Sequence, residues 1–211
     1  MKIFSMDSAF YRFISRLGDL MIVNILFLVG CIGIITIGPS LSAMYTMLLK
    51  FVRNESGYVA REFWKAYREN FKQSIILWVI CMAADVLLYY DIILSDTLGG
   101  TVGQGLKIIF LFFGIIYFSV LSYLFAVQSR FENTLWNTVK NSFWMAMGYL
   151  PFTISVLVVE FIPLFVVLVK PETFWYLLPV MLTVGFAGLG YACAGIFNYI
   201  FKNYIPEEKE R

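Results

Sequence analysis

The chain has 211 residues, of which 60% are hydrophobic and only 14% are charged. A soluble domain of this length exposes many residues to water and carries about 25% charged residues, so most of this chain is expected to face lipid. These values exclude a soluble enzyme, a disordered chain, a coiled coil and a disulfide-stapled secreted domain. The net charge of +2 is too small to indicate a nucleic-acid partner.

The chain contains no histidine. This removes histidine-based acid–base catalysis, Ser-His and Cys-His nucleophile pairs, and histidine-ligated metals. The three cysteines, Cys31, Cys81 and Cys193, lie singly in separate apolar runs, without the spacing of a metal or redox motif. We therefore expect no catalytic site, no metal site, no cofactor and no enzymatic activity.

The N-terminal segment predicts an amphipathic helix over residues 1–17 that lies in the headgroup layer, because apolar and cationic residues are interleaved there at helical spacing. Where this helix meets the membrane, Arg16, Asp19 and Asn24 form a predicted clasp at the inner mouth of the next element. Asp19 is expected to accept a hydrogen bond from Arg16 or to bind free backbone N–H groups. A ligand contact is the alternative interpretation.

Residues 20–50 predict a helical hairpin with its tip at Thr36, Gly38 and Pro39. Proline lacks the N–H that continues a helix and clashes with the preceding turn, so the first arm is expected to stop there. The second arm, 41–50, is short for a crossing of about 30 Å, and whether it spans is left open. A plain turn near the outer leaflet is preferred over a substrate site at the broken helix.

Two segments that combine aromatic and cationic side chains are predicted to lie at the cytoplasmic membrane surface, and we call them elbows because each leads into a span. The first elbow covers residues 58–73, and the second lies near 131–144. An offset of 72 residues superimposes them, which indicates either an internal repeat or a common preference of such segments for tryptophan and cations. Their characteristic residues are Phe63, Trp64 and Arg68 in the first elbow and Trp136 and Lys140 in the second.

Four apolar runs are long enough to cross the bilayer as helices. If the hairpin returns the chain to its starting side, fourteen of the sixteen lysines and arginines share one face, which the positive-inside rule makes cytoplasmic. Both termini, including the tail at 198–211, are therefore predicted to be cytoplasmic. The predicted spans are 75–94, 106–127, 143–169 and 174–197.

Two carboxylates, Asp85 and Glu160, fall inside predicted spans, where a charge costs about 2.5–3.5 kcal/mol on insertion scales. One interpretation is an intramembrane polar site that binds a proton or cation, or contacts a substrate. The alternative is structural, with each group protonated or hydrogen-bonded by a neighbouring helix.

A row of small residues follows one face of the last span, because its members recur at helical spacing. Such a face lets another helix approach closely. We expect an internal helix as the partner, with a second copy of the chain as the alternative. The residues are Gly185, Gly188, Ala192 and Gly195.

Three motifs within residues 15–78 occur in a distinctive order. They are Gly18-Asp19-Leu20 with Asn24, Thr36-Ile37-Gly38-Pro39 with Ala43 and Tyr45, and Phe63-Trp64-Lys65-Ala66 with Asn70-Phe71-Lys72-Gln73. This pattern resembles the YesL-like family of bacterial integral membrane proteins of unknown function. The resemblance implies a bacterial plasma membrane and an accessory role beside carbohydrate ABC importers, and it supplies no catalytic residues.

Taken together, the sequence predicts an all-α, polytopic membrane protein with about six membrane-embedded helices in a single integral membrane domain, residues 1–211. The leading hypothesis is an accessory or assembly partner of a carbohydrate ABC importer, in contact with its permease. The alternative is a small proton- or cation-linked transporter or channel that uses Asp85 and Glu160. The expected partners are the lipid bilayer, the permease and a second copy of the chain.

Overall fold

The computed structural model describes residues 9–55 and 57–205, with side chains described from Ile14 onward. These residues form helices joined by short connections, and they contain no strand. The predicted all-α class is confirmed. The predictions for residues 1–8 and 206–211 lie outside the described residues.

The first two helices, α1 (Ala9–Gly30) and α2 (Ile37–Val52), form a hairpin. The described part of the predicted interfacial helix and the first arm of the hairpin belong to one continuous helix, α1. Ser40 ties the arms together, since its Oγ donates to the carbonyl of Phe27 at 2.8 Å.

The tip of this hairpin was wrongly predicted at Gly38 and Pro39. The chain turns at residues 31–33, a 3-10 turn follows at Ile34–Thr36, and Gly38 and Pro39 are buried in the first turn of α2. Proline is tolerated there because the first N–H groups of a helix have no intrahelical acceptor to lose. Thr36 lies in the 3-10 turn, where its Oγ1 donates to the carbonyl of Gly33 at 2.6 Å.

The second hairpin consists of α3 (Val59–Leu98, 40 residues) and α4 (Gly100–Arg130, 31 residues). The turn between them needs a positive φ at Gly99 and Gly100, which glycine adopts without a steric penalty. The first elbow and the span after it were predicted as separate elements, but both belong to the continuous α3. Its aromatic and cationic end continues into the span without a break in the helix. At 1.5 Å per residue the whole helix is about 60 Å long.

The predicted span 143–169 is also divided differently. The chain forms α5 (Leu135–Gly148), breaks at Tyr149, and continues as α6 (Leu150–Val169). Thr134 caps the start of α5 by accepting a hydrogen bond from the backbone of Asn137 at 3.4 Å. Proline at the second position of α6 has the same physical role as in α2, since it occupies a first turn.

The last part of the chain is helical but irregular. A 3-10 turn at Pro171–Thr173 leads into α7 (Phe174–Val180), a π-helical segment (Met181–Gly185) and α8 (Phe186–Phe201). The predicted span 174–197 therefore contains a π-helical segment that begins two residues after Pro179, at Met181. Proline removes one backbone donor, which favours a change of hydrogen-bond pattern at this point.

Helix α2 lies at the centre of the molecule and packs against α1, α3, α4 and α8. Its end is joined to the start of α3 by an ion pair between Lys50 and Glu62 at 2.7 Å. The hydrophobic core follows α2 and is therefore concentrated in this half of the molecule. The largest fully buried side chains include Met47, Leu48, Leu49, Phe63, Tyr123, Phe197 and Phe201.

The tips of the two hairpins lie at different distances along α3. Trp78 of α3 donates its indole N–H to the carbonyl of Ile34 at 2.8 Å, so the tip of the first hairpin lies beside Trp78. Helix α3 runs twenty residues farther, to Leu98, which is about 30 Å. The first hairpin thus ends well short of the second.

Five helical stretches among the described residues are long and apolar enough to cross a membrane. Four of them are mostly uncovered by protein, as expected of helices whose solvent is lipid, whereas Ile34–Val52, which contains the central α2, is 61% buried. The chain therefore has the architecture of a polytopic helical membrane protein. The five stretches are Ile34–Val52, Val59–Leu98, Gly100–Arg130, Leu150–Val169 and Pro171–Phe201.

Candidate functional site

Glu160 lies where α2, α4 and α6 meet. Tyr45 of α2 donates its hydroxyl to Oε1 of Glu160 at 3.4 Å, and Ser122 of α4 donates to Oε2 at 2.5 Å. Each carboxylate oxygen therefore has a hydroxyl donor from a different helix. Two such donors stabilise a carboxylate whose burial at membrane depth would otherwise cost free energy.

A cavity of about 190 Å³ adjoins this carboxylate. Sites for small organic molecules are typically about 300–1,000 Å³, so this cavity has room for water or an ion rather than for an organic substrate. Its lining consists of Leu41, Tyr45, Trp78, Phe118, Leu121, Ser122, Phe125, Glu160 and Phe161.

Asp85 does not belong to the lining of this cavity. It is half-buried on α3, one helical turn from Cys81, whose carbonyl accepts a hydrogen bond from Tyr117 at 2.9 Å. The two carboxylates that were predicted to form one polar site are thus in different surroundings. Tyr45 and Ser122, which the sequence did not indicate, are the groups that contact Glu160.

The predicted clasp of Arg16, Asp19 and Asn24 is not formed as a unit. Arg16 donates to the side chain of Asn54 at 3.4 Å, and its guanidinium lies 4.8 Å from the centre of the Phe51 ring. Asp19 is half-buried and forms no ion pair with Arg16. Asn24 contacts neither Arg16 nor Asp19 through its amide, which is hydrogen-bonded to the last helical stretch.

Asn24 is fully buried and makes three hydrogen bonds across the molecule. Its Nδ2 donates to the carbonyls of Met181 and Leu182 at 3.0 and 2.9 Å, and its Oδ1 accepts from the backbone N–H of Ala187 at 2.9 Å. These backbone groups lie in or next to the π-helical segment. The amide therefore supplies partners to groups that the altered helix pattern leaves free.

The row of small residues on the last span was expected to pack on an internal helix. The close approach on α8 occurs instead at Gly190, where a Cβ would lie 2.7 Å from Leu48 and 3.3 Å from Met44. Gly188 and Gly195 have nothing within 4 Å of such a Cβ, and Ala192 is exposed. Only Gly185 of the predicted row is buried, and its nearest neighbour is Met181 in the same helical stretch.

The two predicted elbows have different surroundings. Phe63 is fully buried, and Trp64 packs edge-on against it at 5.7 Å between ring centres. Trp136, the corresponding residue of the second elbow, is 74% exposed. Arg68 and Lys140 are both exposed. The structure therefore brings the cationic positions into similar environments but not the tryptophans.

Comparison with known proteins finds a similarity to a family without an assigned activity. Residues 20–92 match the model of a family described as protein of unknown function, DUF624. The uncharacterized protein YteU of Bacillus subtilis (strain 168) is 24% identical over 127 residues, which is 60% of this chain and 57% of YteU. The chain thus aligns with less than two thirds of this relative. No solved structure matches.

The matched residues 20–92 cover most of the first hairpin and most of α3. They include Asn24, Gly38 and Tyr45, and they end before Glu160. The similarity therefore concerns the central packing unit around α2 rather than the whole of the Glu160 site.

Proposed function

We propose that this chain is a YesL-like protein of the bacterial plasma membrane that serves as an accessory or assembly partner of a carbohydrate ABC importer. The observation that carries the partner role is a cationic face at the start of α3. It consists of Arg61, Lys65, Arg68 and Lys72, which are all exposed. The importer itself is suggested by the family resemblance.

The spacing of these four cations places them on one side of the helix, because they follow one another by four, three and four residues. Among the described residues their one ion pair is that of Lys65 with Glu69, at 3.9 Å between exposed groups. Such a pair contributes little in water. The cationic face therefore keeps most of its charge for another molecule, and charge of one sign favours association with an acidic surface.

The length of α3 supports a protein partner. The helix is about twice as long as the roughly 30 Å hydrocarbon layer is thick, so a large part of it lies beyond that layer unless it is strongly tilted. Its cationic face is at the opposite end from the Gly99–Gly100 turn. An acidic surface on the cytoplasmic side of the permease is the partner that this arrangement favours.

Co-purification tests the proposal. The tagged chain is co-expressed with the importer and purified in mild detergent, and the stoichiometry of the permease is measured. We expect stoichiometric recovery, and a loss of at least about tenfold when Arg61, Lys65 and Arg68 are changed to glutamate. The control changes Lys170 to glutamate, at the other end of the helices, because Lys107 at that end is already paired with Asp96 at 2.7 Å. Purification of the chain without any permease would contradict the proposal.

The second candidate function is a small proton- or cation-linked transporter or channel. The observation that favours it is the cavity of about 190 Å³ beside Glu160. Because Asp85 does not line that cavity, flux in reconstituted vesicles is expected to depend on Glu160 and much less on Asp85. Equal flux for the wild type, Glu160→Gln and Asp85→Asn would remove the basis for this candidate.

A further inference from the structure

A second cavity lies where α2, α3 and α4 meet the connection to α5, and it is distinct from the cavity beside Glu160. Its volume is about 700 Å³, within the usual range for small-molecule sites. The lining is mostly polar, in contrast to the apolar walls around Glu160. It includes Thr46, Asn70, Gln73, Gln128, Arg130 and Asn133.

Gln128 is the unusual member of this lining. Its side chain is 4% exposed, and neither the amide nitrogen nor the amide oxygen has a hydrogen-bond partner within the described chain. More than about nine in ten buried polar groups in proteins are paired, because an unpaired one loses its bonds to water without replacement. A buried amide that lacks both kinds of partner needs a group that donates and accepts.

Two neighbouring amides on α3 also have hydrogen-bonding capacity left for such a group. Gln73 uses both of its N–H groups, on the carbonyl of Asn133 at 2.9 Å and the hydroxyl of Thr138 at 3.4 Å, so its oxygen stays free to accept. Asn70 uses one N–H on the carbonyl of Ala66 at 3.2 Å, which leaves its second N–H and its oxygen. The cavity therefore offers both donors and acceptors from α3 and from α4.

The charges around the cavity disfavour an ionic ligand. Arg130 contributes a guanidinium, while Glu69 and Glu132 contribute exposed carboxylates. An anion would meet these carboxylates and the free amide oxygens, and a cation would meet Arg130. An uncharged ligand meets neither penalty and can pair with the amides.

We propose that this cavity binds an uncharged small molecule whose polar groups both donate and accept hydrogen bonds, and that Gln128 is a principal contact. Carboxamides and polyols share this chemistry. The inference concerns a different part of the molecule from the cationic face, and it does not depend on the partner role proposed above.

Binding is measured by saturation-transfer NMR and calorimetry on the purified full chain in detergent. The probes are malonamide as a neutral carboxamide, myo-inositol as a neutral polyol, and malonate and ethylenediamine as charged counterparts. We expect saturable binding of a neutral probe and none of the charged ones. Binding of malonamide alone or myo-inositol alone identifies which class supplies the ligand.

Gln128→Met provides the decisive variant, because methionine has nearly the same shape but no amide. We expect it to weaken binding at least about tenfold and also to raise the melting temperature of the free protein, since it removes two unpaired buried atoms. Gln104→Met is the matched control, because Gln104 is exposed near the other end of α4. It should leave both quantities unchanged.

Three results would overturn the proposal. The first is the absence of saturable binding by either neutral probe, or binding of the charged probes only. The second is unchanged affinity in Gln128→Met. The third is a lower melting temperature of Gln128→Met than of Gln104→Met, which would mean that the amide is already paired in the free protein.

Discussion

Asn24 uses both ends of its amide on the backbone of the last helical stretch. In an α-helix the carbonyls of Met181 and Leu182 would be bonded four residues on, but the π-helical pattern shifts these bonds and leaves groups unpaired. Hydrocarbon offers no water to replace them. An amide suits this position because it donates to carbonyls and accepts from the N–H of Ala187 at the same time.

Replacing Asn24 is therefore expected to destabilise the protein. Asn24→Leu leaves three backbone groups without partners, and Asn24→Asp keeps an acceptor but loses the donor. We expect a loss of about 3 kcal/mol for leucine, somewhat less for aspartate, measured by thermal or denaturant unfolding in detergent. Asn137→Leu, at an exposed position on α5, is the control and should change stability by less than about 0.5 kcal/mol. Equal stability of the two leucine variants would contradict the role given to Asn24.

Glu55 gives a prediction that depends on pH. Hydrogen bonds from Arg53 to both carboxylate oxygens, at 2.5 and 3.2 Å, are the main cause that holds the pKa of Glu55 below its ordinary value of 4.5. Because the pKa is lower in the folded state, the ionised form stabilises the fold above the unfolded-state pKa. That contribution is lost as the pH falls through the folded-state pKa.

Glu55→Gln is thus expected to be less stable than the wild type at about pH 7, and the difference should shrink as the pH is lowered below the ordinary glutamate pKa of 4.5. Since Glu55 is half exposed, the difference should be below about 1 kcal/mol. Unfolding of both proteins is measured across this pH range. Glu172→Gln serves as the control, and a difference that grows toward low pH would contradict the assignment.

At the scale of elements, the first hairpin shows what a local sequence motif can and cannot predict. Gly38-Pro39 correctly indicates a helix boundary, but such a pair is compatible with the end of one helix and with the first turn of the next. The choice is made by packing. A Cβ on Gly38 would lie 2.6 Å from the carbonyl of Ser74 and 2.7 Å from Cβ of Trp78, so glycine is needed where α2 meets α3.

Gly38→Ala should therefore destabilise the protein by about 1–3 kcal/mol, because the new methyl group meets backbone that cannot move independently. Gly188→Ala is a matched substitution in another helix, where nothing lies within 4 Å of the new Cβ. It should stabilise by about 0.5–1 kcal/mol, since alanine loses less conformational freedom than glycine in a helix. Unfolding of both variants in the same detergent tests the opposite signs. Destabilisation of equal size in both would show that Gly38 has no special contact.

The elbows illustrate a second limit at this scale. The pattern of Phe63, Trp64 and Arg68 correctly predicts a helix, but it does not say whether that helix is separate from the following span. Phe63 is buried against the core around α2, so α3 continues along α2 instead of bending into the membrane surface. The sequence gives no local mark of this, because the residues that decide it belong to another helix.

At the scale of the whole molecule, composition suffices to predict an all-α membrane protein, whereas the lateral arrangement of its helices is not predictable from it. In a soluble protein the apolar face of a helix is the packed face. In lipid both the packed and the exposed faces are apolar, so periodicity does not separate them. For this reason Gly190 was missed as the contact to α2, and Tyr45, 115 residues from Glu160, could not be assigned to it.

The unequal reach of the two hairpins leads to a prediction about topology. Since Ile34 lies beside Trp78 and α3 continues about 30 Å beyond it, the tip of the first hairpin is expected to stay within the bilayer. With the cytoplasmic termini that the distribution of cations predicts, the turn between α3 and α4 should face the outside, and the end of α8 the cytoplasm. Both are testable with single cysteines in a background without Cys31, Cys81 and Cys193.

The three reporters are Ile32→Cys at the tip, Thr101→Cys beside the α3–α4 turn and Lys202→Cys after α8, all at exposed positions. An impermeant maleimide added to intact cells should label Thr101→Cys alone. After permeabilisation it should also label Lys202→Cys, while Ile32→Cys should remain poorly labelled because a thiol in hydrocarbon rarely ionises. Labelling of Ile32→Cys in intact cells would mean that the first hairpin crosses the membrane, and α3 would then have to tilt steeply for both tips to reach the same surface.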